Sequence, residues 1–291
     1  MPDTEEINGD VYVSPRYLAG STAVGDPALE PLLALGFDLR HDDLGNAYVT
    51  APDHRVRLGF LPEGDDDGLW RINVYRDRFG PPAWGVSFND QCPTEFVTAF
   101  TTTLAAAYQA SPEHYLAQPD PADPELDAFH AVVPLINRGW KIQHPRWGAL
   151  ELQTPDGMAG LEYAQGRLDA EKELTTLQAR WYLWGGPKNR YARWYATAST
   201  NTPIPLVRAI TESVSDPAPL PRWKDQLLRD LRESAQLVPV TPPPPPVPTP
   251  LDVRRIAPRR APALTTRSIP RWSTTTTPSA VLPARRSGPH R

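Results

Sequence analysis

The sequence predicts an α+β protein: two tandem copies of a helix–five-stranded antiparallel sheet–helix domain, followed by a disordered Pro/Arg-rich tail. Three observations predict it. Residues 83–108 read as a strand, a polar turn, a proline and an amphipathic helix, and residues 193–214 repeat that order at an offset of 110. Upstream, matching apolar and glycine positions recur at an offset of 103, so the second copy carries a seven-residue insertion. Beyond residue 237 the composition turns to Pro, Thr and Arg, which cannot bury a core. A phase match over this many turns and strands points to duplication of one domain.

The elements follow in order. Residues 1–10 are acidic and polar and predicted to be disordered; residues 11–117 form the first repeat domain. Val11, Tyr12 and Val13 suit a short strand, and residues 27–35 a short helix. Strands are expected at 37–41, 46–51, 55–61, 69–76 and 83–89, with a turn at Gly64–Gly68. In the last strand Trp84, Val86 and Phe88 alternate with Gly85, Ser87 and Asn89, the period of a half-buried strand. A helix over 93–108 then starts with Cys92 at the N-cap, Pro93 as first helical residue and Glu95 in the first turn. Phe96, Val97, Phe100, Leu104 and Tyr108 are its apolar stripe.

The second repeat domain spans 118–216, its first residues a Pro/Asp-rich linker. Gly139-Trp140 matches Gly36-Phe37, His144 matches His41, and Pro155-Asp156 matches Pro52-Asp53. Trp194, Ala196 and Ala198 take the strand face, Thr202-Pro203 the helix start, and Leu206, Val207, Ile210 and Val214 the stripe. Tyr17-Leu18-Ala19 echoes Tyr115-Leu116-Ala117. Residues 217–221 read as a second linker and 222–236 as an amphipathic helix with Trp223, Leu227, Leu228 and Leu231 on one side. Residues 237–291 are the disordered, Pro-rich, basic tail, opening on a polyproline arm.

Composition bounds the function. One cysteine in 291 residues excludes an internal disulfide framework and suits a reducing cytoplasm. No apolar run reaches membrane length, and no secretory signal is visible, so no membrane partner is expected. Net charge is −4, unevenly spread: residues 252–291 hold nine Arg and one Asp, or +8, which leaves −12 on the remainder. Arginine outnumbers lysine by 26 to four.

The stretches VYVSPRYLAG, GNAYVTAPDHRVRLGFLPEGDDDGLW and PPAWGVSFND, with the Pro-x-Glu helix start, resemble the actinobacterial domain of unknown function family three hundred and seventeen. The resemblance covers 11–110 closely and 124–215 more loosely, and implies tandem copies. It departs at Cys92, where the family pattern has Thr, and in the second copy's insertion and missing GDDDG turn. The family implies no established activity, cofactor or catalytic residue.

Candidate chemistry is sparse. Cys92 at a helix N-terminus could be a nucleophile, but Thr202 at the matching position makes capping the simpler role. On that reading Cys92→Thr is near neutral and Cys92→Ala more destabilising. Asp65, Asp66 and Asp67 lie in a tight turn where they cannot easily converge on a cation. His41 and His144 are expected as partly buried, satisfied imidazoles. No phosphate loop or paired-Cys metal spacing occurs. No catalytic residue, metal or cofactor is therefore expected. Trp181, Tyr182 and Trp184 are candidates for a protein interface. Arg254, Arg255, Arg259, Arg260, Arg267, Arg271, Arg285 and Arg286, with Trp272 to stack on a base, are candidates for nucleic-acid or anion binding. The expected function is a cytoplasmic, non-enzymatic interaction or adaptor module with an unknown protein partner. The alternative is a nucleic-acid-associated protein binding phosphates through its tail.

Overall fold

Alternating apolar residues become paired strands in the predicted order, but the strands of the two repeats join. The computed structural model describes residues 9–64, 68–116, 128–143, 148–187 and 192–240. The first repeat runs from β1 (Asp10–Ser14) through a 3-10 turn at Arg16–Leu18 to α1 (Asp26–Leu33). A meander follows: β2 (Asp38–His41), β3 (Ala47–Thr50), β4 (Val56–Phe60), β5 (Trp70–Val74) and β6 (Trp84–Phe88). Then come α2 (Thr94–Ala110) and α3 (Pro112–Leu116). The second repeat has α4 (Phe129–Asn137), β7 (Lys141–Gln143), β8 (Ala149–Gln153), β9 (Ala159–Ala164), α5 (Ala170–Thr175), β10 (Trp181–Gly185), β11 (Trp194–Ala198) and α6 (Ile204–Ser215). Last are β12 (Leu220–Trp223), α7 (Arg229–Ser234) and β13 (Gln236–Pro239).

The α+β class stands; the expectation of a separate five-stranded sheet in each copy does not. One ten-stranded sheet runs β2-β3-β4-β5-β6-β11-β10-β9-β8-β7. Alone, each meander would leave β6 or β11 as an edge of unpaired N–H and C=O groups, and antiparallel pairing satisfies both. Ser87 sits opposite Thr197, flanked by Phe88 opposite Ala196 and Val86 opposite Ala198. These residues correspond at the offset of 110, so a pseudo-twofold axis passes between Ser87 and Thr197. The hydrogen bonds obey it. Asn89 N donates to Tyr195 O (3.2 Å) and Ser199 N to Gly85 O (3.0 Å). Tyr195 N donates to Asn89 Oδ1 (2.9 Å) and Gly85 N to Ser199 Oγ (3.0 Å).

The helices obey the same axis. α1 packs on α2, α2 on α6 and α6 on α4, all on one sheet face. Pro31 in α1 and Pro134 in α4 hold matching positions. Gly36 (φ 80°) and Gly139 (φ 83°) end those helices in the left-handed conformation that a side chain resists. The apolar stripe of α2 closes one core shared by both repeats, in which Phe96 meets Trp194 edge-on at 5.2 Å. Trp84 and Trp194 are both buried in it, as are Phe37 and Trp140.

Each of the two Tyr-Leu-Ala arms, one ahead of α1 and the other, α3, ahead of α4, packs on the meander that does not follow it. Trp194 Nε1 donates to Tyr17 O (2.9 Å), and Tyr17 Oη to Asp156 Oδ2 (2.8 Å). Symmetrically, Trp84 Nε1 donates to Tyr115 O (2.8 Å), and Tyr115 Oη to Asp53 Oδ2 (3.2 Å). The arms share a Ser-Pro start, Ser14-Pro15 and Ser111-Pro112, ahead of Tyr-Leu-Ala. Burial, then the facing Asp156, pushes the Tyr17 phenol well above its ordinary value. Burial, then Asp53, pushes Tyr115 up to about 12.

The predicted linker at 217–221 and helix at 222–236 are corrected. Leu220–Trp223 is β12, Lys224–Gln226 a 3-10 turn, and only Arg229–Ser234 is helical. β12 and β13 flank β1 in a separate three-stranded sheet. The local helical pattern yields to tertiary contacts. Arg222 is buried in a bidentate pair with Glu95 (2.7 Å to each oxygen) and donates to Gly20 O (3.0 Å). Of the expected stripe, Leu227 and Leu231 are buried, whereas Trp223 and Leu228 are exposed. The linker at 118–125 lies outside the described residues.

Two outcomes follow from these bonds. Asn89→Ala removes the Tyr195 N acceptor at the centre of the sheet and should cost about 1–3 kcal/mol in denaturant unfolding. The raised phenol of Tyr115 holds its proton more tightly when folded. Its contribution is full below pH 10 and lost as pH rises through about 12. Alkaline unfolding midpoints of wild type and Tyr115→Phe should therefore converge above that pH.

Candidate functional site

The face of the sheet opposite the four helices begins with side chains one step out of phase with the core: Tyr48, Arg57, Asn73, Ser87, Thr197, Tyr195, Tyr182 and Trp184. The second-copy insertion builds a lid on its centre. Asp169 caps α5, accepting from Glu171 N (3.0 Å) and Lys172 N (3.3 Å). The helix lies against β6 so closely that a Cβ on Gly85 would come within 2.7 Å of Leu174 Cδ2. Buried Glu173 accepts from Thr200 N (2.5 Å) and Thr200 Oγ1 (2.7 Å). Arg180 donates to Thr200 Oγ1 (3.1 Å), Gly166 O (2.9 Å) and Ala164 O.

The three aromatics expected at an interface part company here. Trp181 points into the core against Tyr163, ring centroids 4.5 Å apart. Trp184 is buried on the opposite face: it lies flat on Gly160, where a Cβ would sit 2.6 Å from its ring, with the Arg193 guanidinium 3.8 Å above. Trp184 Nε1 and Arg193 Nε are buried without a hydrogen-bond partner among the described residues. Tyr182 is half-buried and stacks on Tyr195. Beside them, burial and then the Glu151 charge push the Glu162 carboxyl up.

Cys92 is not an N-cap. Pro93 occupies that position, and the fully buried thiol donates weakly to Pro93 O (3.8 Å). Thr202 is likewise buried, its hydroxyl 3.4 Å from Ser199 Oγ. Both residues fill the core, which removes capping as the ground for equating Cys92 with Thr. Burial, then the Glu95 charge, pushes the thiol well above its ordinary value, the reverse of an activated cysteine. His41 is exposed at the sheet edge rather than partly buried, because β2 has no outer neighbour. His144, the Asp65–Asp67 turn and all the tail candidates, Arg254 through Arg286 with Trp272, lie outside the described residues.

Two clefts flank the helices. One of about 980 Å³ lies along α2, α4 and α6, where Arg208 pairs with Glu212 (2.8 Å) and Arg16 with Asp216 (2.6 Å), so most of its charge is internally neutralised. Another of about 670 Å³ lies between α1 and the β2 edge, lined by Leu29, Leu33, Leu39, His41 and Phe60. Among the described residues no group of three or more His, Cys, Asp or Glu is placed to hold a metal ion, and no helix is long and apolar enough to cross a membrane.

A surface that sequence reasoning missed lies on the small sheet. Tyr12 stands directly across from Pro221 on one side and Val238 on the other, with Trp223 next along β12. Tyr12, Trp223 and Val238 are 40%, 47% and 57% exposed. The signal was a period of two through Leu220, Pro221, Arg222 and Trp223, masked by the helical spacing of the leucines after it.

The buried thiol sets a simple expectation. The native protein should not react with a neutral disulfide reagent at pH 7–8, and one thiol should titrate once denaturant is added. Rapid native labelling would mean that the Cys92 site opens.

Comparison with known proteins agrees with the geometry. The model of the family described as SPDY: Domain of unknown function (DUF317) matches residues 50–110 and 153–220. No curated protein and no solved structure matches the chain. The two matched segments begin 103 residues apart and end 110 apart, the same offsets that relate the repeats, which is consistent with tandem copies of that domain of unknown function.

Proposed function

We propose that the protein is a non-enzymatic interaction module, working in the cytoplasm, that binds a partner protein on the outer face of the β12-β1-β13 sheet. The observation that carries this reading is the exposed row of Pro221, Tyr12 and Val238, in register across three strands, with Trp223 beside it and all four outside the main core. Aromatic side chains in such a row supply large contact area at low entropic cost. The partner is an extended apolar segment. Pro221 and Pro239 sit on the two outer strands, where they lack an N–H and oppose addition of a further strand. The segment therefore lies across the face and not along an edge. The sealed, raised thiol of Cys92 supports a non-enzymatic role.

The charge division favours a second reading, in which the +8 of residues 252–291 binds nucleic-acid phosphates beside an acidic remainder. Arg254→Gln/Arg255→Gln should then lower the slope of log affinity for duplex DNA on log salt by about two. An unchanged slope would remove those residues from the contact.

For the interaction reading, full-length wild type and Tyr12→Ser/Trp223→Ser are compared in quantitative co-purification. Both positions are exposed, so melting temperature should hold within a few degrees. A protein retained by wild type and lost by the variant supports the proposal. Identical recovery from both, or no retained protein, overturns it.

A further inference from the structure

On a chain whose first 251 residues carry −12, one corner gathers cations without matching them. The tip of the β5–β6 hairpin, Tyr75-Arg76-Asp77-Arg78-Phe79, meets the start of β4 at Arg55 and Arg57. Arg55, Arg76 and Arg78 line a cleft of about 660 Å³ with Asp53 and Asp77. The two carboxylates are occupied locally. Asp53 accepts from Arg55 N (3.1 Å) and Tyr115 Oη (3.2 Å), and Asp77 from Phe79 N (3.1 Å). None of the four guanidiniums forms an ion pair among the described residues, whereas Arg16, Arg40, Arg208, Arg222 and Arg229 all do. Backbone and rings hold three of them instead, Arg76 donating to Leu116 O (3.4 Å). Arg57 donates to Arg78 O (2.8 Å) and lies 4.5 Å over the Tyr75 ring; Arg78 lies 4.7 Å over Phe79. Phe79 is 84% exposed, the most exposed large apolar side chain among the described residues.

We infer that this hairpin corner is a binding site for single-stranded nucleic acid, with Arg55, Arg76 and Arg78 taking backbone phosphates and Phe79 stacking on a base. Unpaired guanidiniums offer the planar double donor that phosphate oxygens accept. An exposed ring beside them adds a stacking platform that tolerates any base. A duplex hides its base faces, which is why the exposed ring selects a single strand. The proposal is independent of the aromatic face of the small sheet and of the tail. In sequence, the segment between β10 and β11 carries Lys188, Arg190, Tyr191 and Arg193, the same mixture of cations and a ring.

The test uses full-length protein and a fluorescein-labelled oligothymidylate twelve nucleotides long, by anisotropy over a series of salt concentrations. Arg76→Gln/Arg78→Gln should weaken binding at least tenfold at low salt and reduce the slope of log affinity on log salt by about 1.4, two phosphates at the single-strand value. Phe79→Ala should weaken binding at least fivefold and leave that slope unchanged. Arg254→Gln/Arg255→Gln separates the tail, and thermal melts confirm that each variant folds. Wild-type affinity in both hairpin variants, or loss in the tail variant alone, overturns the site. So does absence of oligonucleotide binding by wild type. Loss in the arginine variant with no effect of Phe79→Ala, and equal competition by inorganic pyrophosphate, would make it a simple anion site and overturn the nucleic-acid assignment.

Discussion

Everything in the main body depends on the antiparallel junction of β6 and β11. Four hydrogen bonds flank it in symmetric pairs, two between backbone groups and two in which Asn89 Oδ1 and Ser199 Oγ accept a backbone N–H from the opposite repeat. These side chains extend the ladder past the end of the regular strands. The junction aligns α2 beside α6 and allows Phe96 of one repeat to close on Trp194 of the other. Two meanders thereby share one core, and neither presents an inner edge to solvent.

The legible part of this fold was local. Strand and helix positions follow from periods of two and 3.6, and the glycine pairs at 36 and 139 marked matching helix ends. The junction was not legible. Trp84-Gly85-Val86-Ser87-Phe88 reads the same whether it is an edge or a central strand, because sequence period reports which face is buried and says nothing of what lies alongside. The arm exchange was half visible: the Tyr-Leu-Ala echo was plain, but its direction depends on distances between residues 139 or more apart along the chain for Tyr17 and Asp156. The last segment misled because Leu227, Leu228 and Leu231 carry a helical spacing of which only Leu231 falls within α7, and the groups that bury Arg222, Glu95 and the Gly20 carbonyl, lie far from it in sequence. Of the candidate sites, the trio at Trp181–Trp184 was conspicuous for composition alone. Alternation sends Trp181 to one face and Trp184 to the other face.

Charge placement separates structural from available groups. Arg16 and Arg222 are bound to carbonyls and carboxylates that join elements distant in sequence, and Arg180 to two carbonyls and the Thr200 hydroxyl. Their exchange for lysine would lose the planar geometry that reaches several acceptors at once. The arginines of the β5–β6 tip lie against rings and backbone only. The same residue type thus acts as an internal fastener and as a surface cation, and the partner atoms tell them apart.

The three-stranded sheet has a consequence for synthesis. β1 is the first strand among the described residues, yet both its neighbours come from the far end of the described chain, with Asp10 opposite Trp223 and Val11 opposite Pro239. At translation rates of about 5–20 residues per second, Val11 and Val13 wait roughly 10–45 s for partners. The arm carrying Tyr17 also waits, since Trp194 and Asp156 belong to the second repeat. The nascent chain therefore exposes an apolar strand and an unpaired arm through most of its elongation. Chaperone demand should fall on the N-terminal segment, although that segment ends as the best-flanked strand of its sheet.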